Sequence, residues 1–250
     1  MQIVVKIGNT NTVIALYGAK HLVASKYIAS VNLEAVWDDF VSSFVANYQA
    51  KITIALIASV VPAKTALIIS NLKTQLNCPI KLVNNELFAK LPVKIAVSAE
   101  IGADLVANAV GGYNLGKLPF VVADFGTALS LTTVDKNAKA AGVVIAPGLN
   151  MAMQSLDGGT GLLSSVPLAW PQHILGRTTE ESLQAGIVAG FGHLTQGLIN
   201  DIEGELGEPC SIILTGGLAF LYKDKFKGSY EPNLAIDGLN AIALDLKNNN

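Results

Sequence analysis

Two stretches of the chain share one pattern of apolar and polar positions. Each has an apolar run, then a glycine followed by polar residues that include threonine, then a second apolar run. The first covers residues 4–16 and the second covers residues 121–132. Each pattern predicts two strands joined by a tight turn. Because the pattern occurs once in each half of the chain, it indicates a duplicated domain.

The remaining pattern alternates between strand-like and helix-like segments. It predicts further strands over 52–58, 80–83, 140–146, 212–214 and 234–236, and helices over 33–48, from Pro62 to about 76, after Pro147-Gly148, over 179–206 and over 238–246. Residues 222–228 are predicted to form a solvated connector. Alternating strands and helices are typical of α/β domains in which helices cover a sheet. We therefore expect two such domains, over 1–115 and 116–250.

The composition indicates a folded protein and limits the classes of partner that we expect it to bind. Of 250 residues, 51% are hydrophobic and 14% charged, and the net charge is −2. The hydrophobic residues are numerous enough to form a buried core. Since the sequence has no basic patch, it gives no support for nucleic-acid binding. No apolar stretch is long enough to span a membrane, and no signal peptide is recognisable, so we expect a cytoplasmic protein. Cys78 and Cys210 lack metal-site spacing and are expected to be buried free thiols.

The two glycine turns are candidate phosphate sites. We call residues 8–12 the first glycine turn and residues 124–127 the second. Glycine lets backbone approach a ligand, and successive N–H groups with Asn or Thr side chains offer donors to phosphate oxygens. Asp124 opens the second turn and can hold a cation, whereas Lys6 stands at the corresponding place in the first. Each turn alone would also fit an ordinary hairpin, but the repetition favours a shared phosphate site.

Two further motifs leave alternatives open. Gly216-Gly217 follows a predicted core strand, and such a pair either lets a flat nucleoside lie against backbone or merely forms a turn. Asp104 is a lone carboxylate in an apolar helical stretch. It is either a partly buried base with a shifted pKa or an exposed acid that is stabilised at a helix start.

In order and spacing, these motifs resemble the actin/hexokinase/Hsp70 superfamily and, within it, the type III pantothenate kinase family. The resemblance covers nearly the whole chain. The motifs that carry it are Gly8-Asn9-Thr10-Asn11-Thr12, Ser59-Val60-Val61-Pro62, Gly102-Ala103-Asp104, Asp124-Phe125-Gly126-Thr127-Ala128, Pro147-Gly148-Leu149, Gly176-Arg177-Thr178-Thr179, Thr215-Gly216-Gly217-Leu218-Ala219, Pro232-Asn233-Leu234 and Asp237-Gly238-Leu239.

The resemblance implies a fold and an activity. The fold is α/β, with two duplicated RNase-H-like (actin-like ATPase) domains that have mixed sheets and flanking helices. The activity is ATP-dependent phosphorylation of pantothenate to 4'-phosphopantothenate, the first step of coenzyme A biosynthesis. The family also implies a homodimer that uses Mg2+ and a monovalent cation, K+ or NH4+. From the composition and the lack of a spanning stretch we expect no nucleic-acid partner and no membrane partner.

The resemblance also implies roles for individual residues. Asp104 falls on the general base, and Asp124 on the cation ligand. The expected pantothenate site comprises Gly102, Ala103, Asp104, Leu105 and Thr179. The expected ATP site comprises Lys6, Ile7, Gly8, Asn9, Thr10, Asn11, Thr12, Val13, Thr127, Gly216 and Gly217.

Three positions depart from the family pattern. Lys6 stands where the family has Asp, Leu105 where it has Arg, and Ile95 near the place of a usual Tyr. Two alternatives therefore stay open: a working kinase with altered site chemistry, or a catalytically impaired relative that binds nucleotide or a partner in a regulatory role. A kinase for another sugar or small alcohol is a third class, and the order of the motifs argues against it.

Overall fold

The computed structural model describes residues 1–46, 48, 51–95, 101–159 and 166–248. Its strands are β1 Gln2–Ile7, β2 Asn11–Gly18, β3 His21–Ala29, β4 Ile54–Ser59, β5 Ile80–Leu82, β6 Phe120–Phe125, β7 Ala128–Val134, β8 Ala140–Pro147, β9 Ser211–Thr215 and β10 Gly228–Tyr230. Its helices are α1 Leu33–Val45, α2 Pro62–Gln75, α3 Asn85–Phe88, α4 Ala103–Asn114, α5 Leu149–Gly159, α6 Thr179–Gln184, α7 Gly190–Leu206 and α8 Leu234–Asn248.

The chain groups into two compact units. The first contains Met1–Gly116 and the chain from Leu234 onward, and the second contains Lys117–Asn233. This grouping differs from the expected division into 1–115 and 116–250, because α8 packs with β1, β4 and α4 of the first unit.

The first unit is built on a mixed sheet with strand order β3-β2-β1-β4-β5. Strands β1, β2 and β3 form an antiparallel meander, and β4 and β5 continue the sheet in parallel. Alternate residues of β1, such as Ile3 and Val5, form one core with Trp37 of α1 and Ile68 of α2. The other face of the sheet carries α8.

Glycines allow α4 and α8 to approach closely. A Cβ at Gly238 would lie 2.0 Å from the carbonyl oxygen of Ala107, and a Cβ at Gly111 would lie 2.5 Å from that of Leu234. The hydroxyl of Tyr17 in β2 donates to Oδ1 of Asp237 in α8 at 2.6 Å. The last helix is therefore tied both to the first sheet and to the helix that carries Asp104.

The second unit repeats this plan. Its sheet has the order β10-β9-β6-β7-β8, with β6, β7 and β8 antiparallel and β9 and β10 parallel to β6. Strand by strand, β6 to β10 correspond to β1 to β5. Val121, Ala123 and Phe125 face a core that includes Leu149 and Leu214. The predicted fold of two duplicated α/β domains with mixed sheets and flanking helices is confirmed.

The structure corrects the predicted elements near the C-terminal end. The strand predicted over 234–236 is wrong, since Leu234 begins α8 and the three apolar residues are its buried first turn. The last strand is instead β10, which pairs with β9. The solvated connector over 222–228 is also wrong at two places, because Tyr222 and Phe226 are buried in the second core.

Two further elements differ from the sequence predictions. Strand β3 was not predicted, and the helix predicted over 179–206 consists of α6, a π-helical turn over Ala185–Ala189 and α7.

Cys78 and Cys210 are free, as expected, but only half-buried. Burial raises the pKa of Cys210 to about 11, with a further contribution from the nearby Glu203 and Glu208 carboxylates. Among the described residues, no helix is long and apolar enough to cross a bilayer.

Candidate active site

The first glycine turn joins β1 to β2. The N–H of Gly8 donates to the carbonyl of Asn11 at 3.1 Å, and a Cβ at Gly8 would lie 2.9 Å from that same oxygen. Asn9, Thr10 and Asn11 are exposed, whereas the side chains of Ile7, Thr12 and Val13 are buried. A ligand at this turn would therefore meet backbone and the exposed side chains.

Lys6 lies two residues before the glycine of the first turn. It is half-buried and pairs with Val13 of β2 and Ala58 of β4. Because side chains alternate along a strand, Lys6 shares a sheet face with Gln2 and Val4, opposite the core formed with α1 and α2. Its expected contact with ATP stays a prediction.

In the second glycine turn, the Asp124 carboxylate lies close to the backbone of two glycines, Gly126 and Gly216. Asp124 is 9% exposed and pairs with Ser130 of β7 and Thr215 of β9. A Cβ at Gly126 would lie 3.1 Å from Oδ1 of Asp124, and a Cβ at Gly216 would lie 2.4 Å from it. The structure therefore brings together the Asp124 and Gly216 motifs, which the sequence separates by most of the second unit.

Gly216 and Gly217 play different structural parts. Gly216 has a φ of +95°, a region that favours glycine, and lies against the backbone of Phe125 as well as the Asp124 carboxylate. A Cβ at Gly217 would meet nothing within 4 Å. The backbone at Gly217 is thus open to the approach of a flat group, and contact with a nucleoside there stays a prediction.

A third glycine supports the second turn. A Cβ at Gly148 would lie 2.0 Å from the carbonyl oxygen of Thr127 and 2.9 Å from that of Gly126. The segment Pro147-Gly148 therefore packs directly on the turn, and any larger residue at position 148 would displace Thr127.

Tyr222, which the sequence analysis did not single out, packs behind the second turn. Its ring stacks on Phe125 with 4.2 Å between centroids, and Trp170 meets it edge-on. Its hydroxyl donates to the carbonyl of Val188 at 2.8 Å, within the π-helical turn. Burial raises the pKa of Tyr222, so the hydroxyl stays protonated and continues to donate.

Asp104 lies in the first turn of α4. Its Oδ1 accepts from the N–H of Leu105 at 2.9 Å, and a Cβ at Gly102 would lie 2.6 Å from the same oxygen. Asp104 is half-buried and adds negative charge where the helix dipole stabilises it. The placement at a helix start is established, and the role as a base stays a prediction.

A cleft of about 450 Å³ opens beside the residues that precede Asp104. Its lining includes Ser59, Val60, Asn85, Phe88, Gly102 and Ala103. Gly102 meets the segment after β4, since a Cβ there would lie 3.6 Å from Cγ1 of Val60. Two members of the expected pantothenate site, Gly102 and Ala103, thus border a cavity of mixed polar and apolar character.

The remaining predicted substrate residues, Leu105 and Thr179, lie in different units. Leu105 follows Asp104 in α4 and is half-buried, as is Ile95, near the place of the usual Tyr. Thr179 is exposed and begins α6, where the preceding Thr178 caps the helix by accepting from the N–H of Glu181 at 3.1 Å. Their contact with pantothenate stays a prediction.

The Asp124 carboxylate fits a cation that substrate phosphates and water would also ligate. Within the described ranges, no three side chains of His, Cys, Asp and Glu form a metal-binding group. Mg2+ in phosphotransfer sites is commonly held by one or two carboxylates together with substrate phosphates and water. A buried carboxylate at a glycine turn suits that arrangement.

Comparison with known protein families identifies one matching family. The family model described as type III pantothenate kinase matches residues 2–201. That range contains both glycine turns, Asp104 and Thr179.

Individual relatives agree with the family match. A type III pantothenate kinase of Thermomicrobium roseum is 34% identical over 226 residues, which cover 88% of this chain and 87% of the relative. One from Treponema pallidum is 39% identical over 198 residues, covering 78% and 72% respectively.

Solved structures agree with the fold. A Campylobacter jejuni protein provisionally assigned to the Baf family of transcriptional activators aligns with a TM-score of 0.63 at 16% identity, covering 98% of this chain and 99% of the other. MreB5 of Spiroplasma citri bound to ADP aligns with a TM-score of 0.55 at 11% identity, covering 99% and 97%. At such identities the likeness concerns the fold alone.

Proposed function

The chain belongs to the type III pantothenate kinase family, and we propose that it phosphorylates pantothenate with ATP to give 4'-phosphopantothenate, the first step of coenzyme A biosynthesis. The observation that carries the proposal is the family match over residues 2–201. The described geometry supports it, because the glycine turns, the enclosed Asp124 carboxylate and the cleft beside Gly102 have the features that this chemistry needs.

The glycine turns would bind the triphosphate. Backbone N–H groups and the exposed side chains of the first turn, together with Thr127 of the second, supply donors for phosphate oxygens. The open backbone at Gly217, next to Gly216, supports a place for adenosine. Phosphoryl transfer depends mainly on positioning and electrostatic stabilisation, which rigid turns provide.

Asp104 would act as the general base. As the pantothenate hydroxyl attacks the γ-phosphorus of ATP, its O–H bond breaks and the proton passes to the Asp104 carboxylate. A new O–P bond forms, and the bond from the γ-phosphorus to the ADP oxygen breaks. Gly102, Ala103, Leu105 and Thr179 would line the pantothenate in this step.

Asp124 would hold a cation at the phosphates of ATP, which binds together with Mg2+. When bound, the ion neutralises developing charge on the phosphate oxygens. The buried carboxylate between two glycines supports this assignment. Family membership further supports a monovalent cation, K+ or NH4+, a homodimeric assembly and a cytoplasmic location.

A catalytically impaired relative that binds nucleotide or a partner is the second candidate. The residues that favour it are three in number: by the family resemblance, Lys6 stands where an Asp is expected, Leu105 where an Arg is expected, and Ile95 near the place of a usual Tyr. A lysine attracts phosphate but repels the cation that phosphate transfer requires, and leucine cannot replace a bidentate donor.

A coupled ADP-release assay with pantothenate and ATP tests both candidates. We expect the natural chain to release ADP only when pantothenate is present. The double variant Lys6→Asp, Leu105→Arg serves as the comparison. If only the double variant is active, the impaired alternative is correct; if neither releases ADP in response to pantothenate, the proposed activity is rejected.

A further inference from the structure

Ser30, just beyond the end of β3, contacts three points of the first glycine turn. Its hydroxyl donates to the carbonyl of Gly8 at 2.7 Å, and its N–H donates to the carbonyl of Thr10 at 2.7 Å. Its Oγ also lies 3.0 Å from Oγ1 of Thr12. Ser30 is 1% exposed and Thr12 is fully buried, so these contacts are shielded from water.

The direction of the hydroxyl contacts follows from a count of protons. A serine hydroxyl has one proton, and Ser30 gives it to the Gly8 carbonyl. The Thr12 hydroxyl must therefore be the donor to Oγ of Ser30. The hydrogen bonds therefore run in one direction, from Thr12 to Ser30 and from Ser30 to Gly8. The single hydroxyl proton of Ser30 is engaged in the bond to the Gly8 carbonyl.

These bonds fix the orientation of two peptide groups. In a planar trans peptide the C=O and the following N–H point in opposite directions. With the carbonyls of Gly8 and Thr10 held on the side of Ser30, the N–H groups of Asn9 and Asn11 point away from it. If either peptide turned over, a carbonyl oxygen would replace an N–H donor on the side opposite Ser30, where it would repel an anion.

Lys64, a residue of α2, binds Ser30. Its ammonium donates to the carbonyl of Ser30, and the lysine is half-buried. Ser30 is thus fixed both by the turn and by a charged group on a helix of the first core. A residue that is held through its hydroxyl, its N–H and its carbonyl can restrain the turn instead of following its movements.

We propose that Ser30 is a positioning residue for nucleotide phosphate at the first glycine turn. Its hydroxyl and N–H keep the Gly8–Asn9 and Thr10–Asn11 peptides in the orientation that presents N–H groups to phosphate oxygens. The inference deepens the proposed function, on which it rests for the identity of the ligand as ATP.

The test compares Ser30→Ala with two other variants. Ser30→Thr keeps the hydroxyl. Thr53→Ala is the matched control, because Thr53 also donates a hydroxyl to a backbone carbonyl, that of Met1 at 3.1 Å, at the opposite end of the same sheet. ATP affinity is measured by calorimetry, KM values by ADP release, and amide exchange over residues 8–12 by mass spectrometry.

Ser30→Ala should weaken ATP binding and raise the KM for ATP by about tenfold, the size expected for losing one shielded hydrogen bond. The KM for pantothenate should stay within about twofold, and amide exchange over 8–12 should accelerate. Ser30→Thr should recover most of the ATP affinity, and Thr53→Ala should bind ATP like the natural chain. If Ser30→Ala does not fold, Ser30→Cys, which fills the same space with a much weaker donor, gives the same readouts.

Unchanged ATP affinity in Ser30→Ala, or equal changes in the two KM values, would overturn the inference. So would a folded Ser30→Thr that binds ATP as weakly as Ser30→Ala, because the hydroxyl would then not be the cause. A natural chain that binds ATP but does not phosphorylate pantothenate would reject the kinase proposal while calorimetry still decides the role of Ser30. A natural chain that binds no ATP would overturn both.

Discussion

Gly216 shows how one residue can determine the shape of a site. Its φ of +95° and its contact with Asp124 leave no room for a side chain. We expect Gly216→Ala to lower the free energy of unfolding by about 1–3 kcal/mol, from backbone strain and displacement of the carboxylate. Urea unfolding measures this effect.

Gly217→Ala is the matched control for Gly216→Ala. A Cβ at Gly217 would meet nothing within 4 Å, so its stability should stay within about 0.5 kcal/mol of the natural chain. Equal losses in the two variants would show that the contact with Asp124 is not what makes Gly216 necessary.

By the family resemblance, Lys6 is the residue at which the charge of the predicted site departs most from the expected pattern. A unit charge about 4 Å from a cation interacts with it by roughly 4 kcal/mol at an effective dielectric of 20, and the sign is repulsive for lysine. If Lys6 lies beside the triphosphate as predicted, the same ammonium would attract phosphate oxygens and stabilise bound ATP without stabilising the transition state. We therefore expect the natural chain to bind ATP more readily than it turns ATP over.

Lys6→Asp should raise turnover. Calorimetry gives ATP affinity and ADP release gives turnover, so the two effects are measured separately. Lys81→Asp, at an exposed position of β5 in the same sheet, controls for the change in net charge. If the natural chain already turns over as fast as Lys6→Asp, then Lys6 does not act on the cation.

At the scale of elements, the π-helical turn before α7 is held by a side chain from another segment. A π-helical turn displaces the regular hydrogen bonds of a helix, and such turns are often found at functional sites. Here the carbonyl of Val188 accepts from Tyr222, whose ring supports Phe125 of the second glycine turn.

Tyr222→Phe should keep the stack on Phe125 and lose the hydrogen bond. We expect the free energy of unfolding to fall by about 1–2 kcal/mol, because the Val188 carbonyl loses a buried donor. Denaturant unfolding gives the value, and Tyr27→Phe, at a side chain that is 61% exposed, should change it little. Unchanged stability in Tyr222→Phe would mean that water or another group replaces the hydroxyl.

The elements also show which patterns in a sequence are informative. The hairpins around Gly8 and Gly126 were predictable because both flanking strands are buried and therefore apolar. Strand β3 was not, since most of its side chains are exposed or half-buried at a sheet edge and leave no apolar run. The first turn of α8 is three buried residues in sequence, which local patterning cannot distinguish from a short buried strand.

Site residues, like elements, can be predicted from the sequence only where a local pattern marks them. The glycine turns and Asp104 lie in short motifs, so the sequence shows them directly. Ser30 and Tyr222 reach their partners only through the pairing of β3 and the packing of the second core, and no local motif marks either residue. The return of α8 to the first unit likewise depends on contacts between residues far apart in the chain.

At the scale of the whole molecule, duplication produced two similar units that carry opposite charges at one equivalent position. Lys6 and Asp124 each stand two residues before the glycine of their turn, Gly8 and Gly126, and each pairs with a neighbouring strand on both sides. One unit therefore offers an ammonium and the other a carboxylate at equivalent positions. That the two turns serve one shared nucleotide site stays a prediction of the sequence.

The most direct test of the proposed activity is detection of 4'-phosphopantothenate by mass spectrometry after incubation with ATP, Mg2+ and pantothenate. The natural chain should form the product. Asp104→Asn should form it roughly 10²–10⁴-fold more slowly, because it keeps an oxygen to accept from Leu105 but cannot take the substrate proton. Absence of product from the natural chain, or undiminished product from folded Asp104→Asn, would contradict the account.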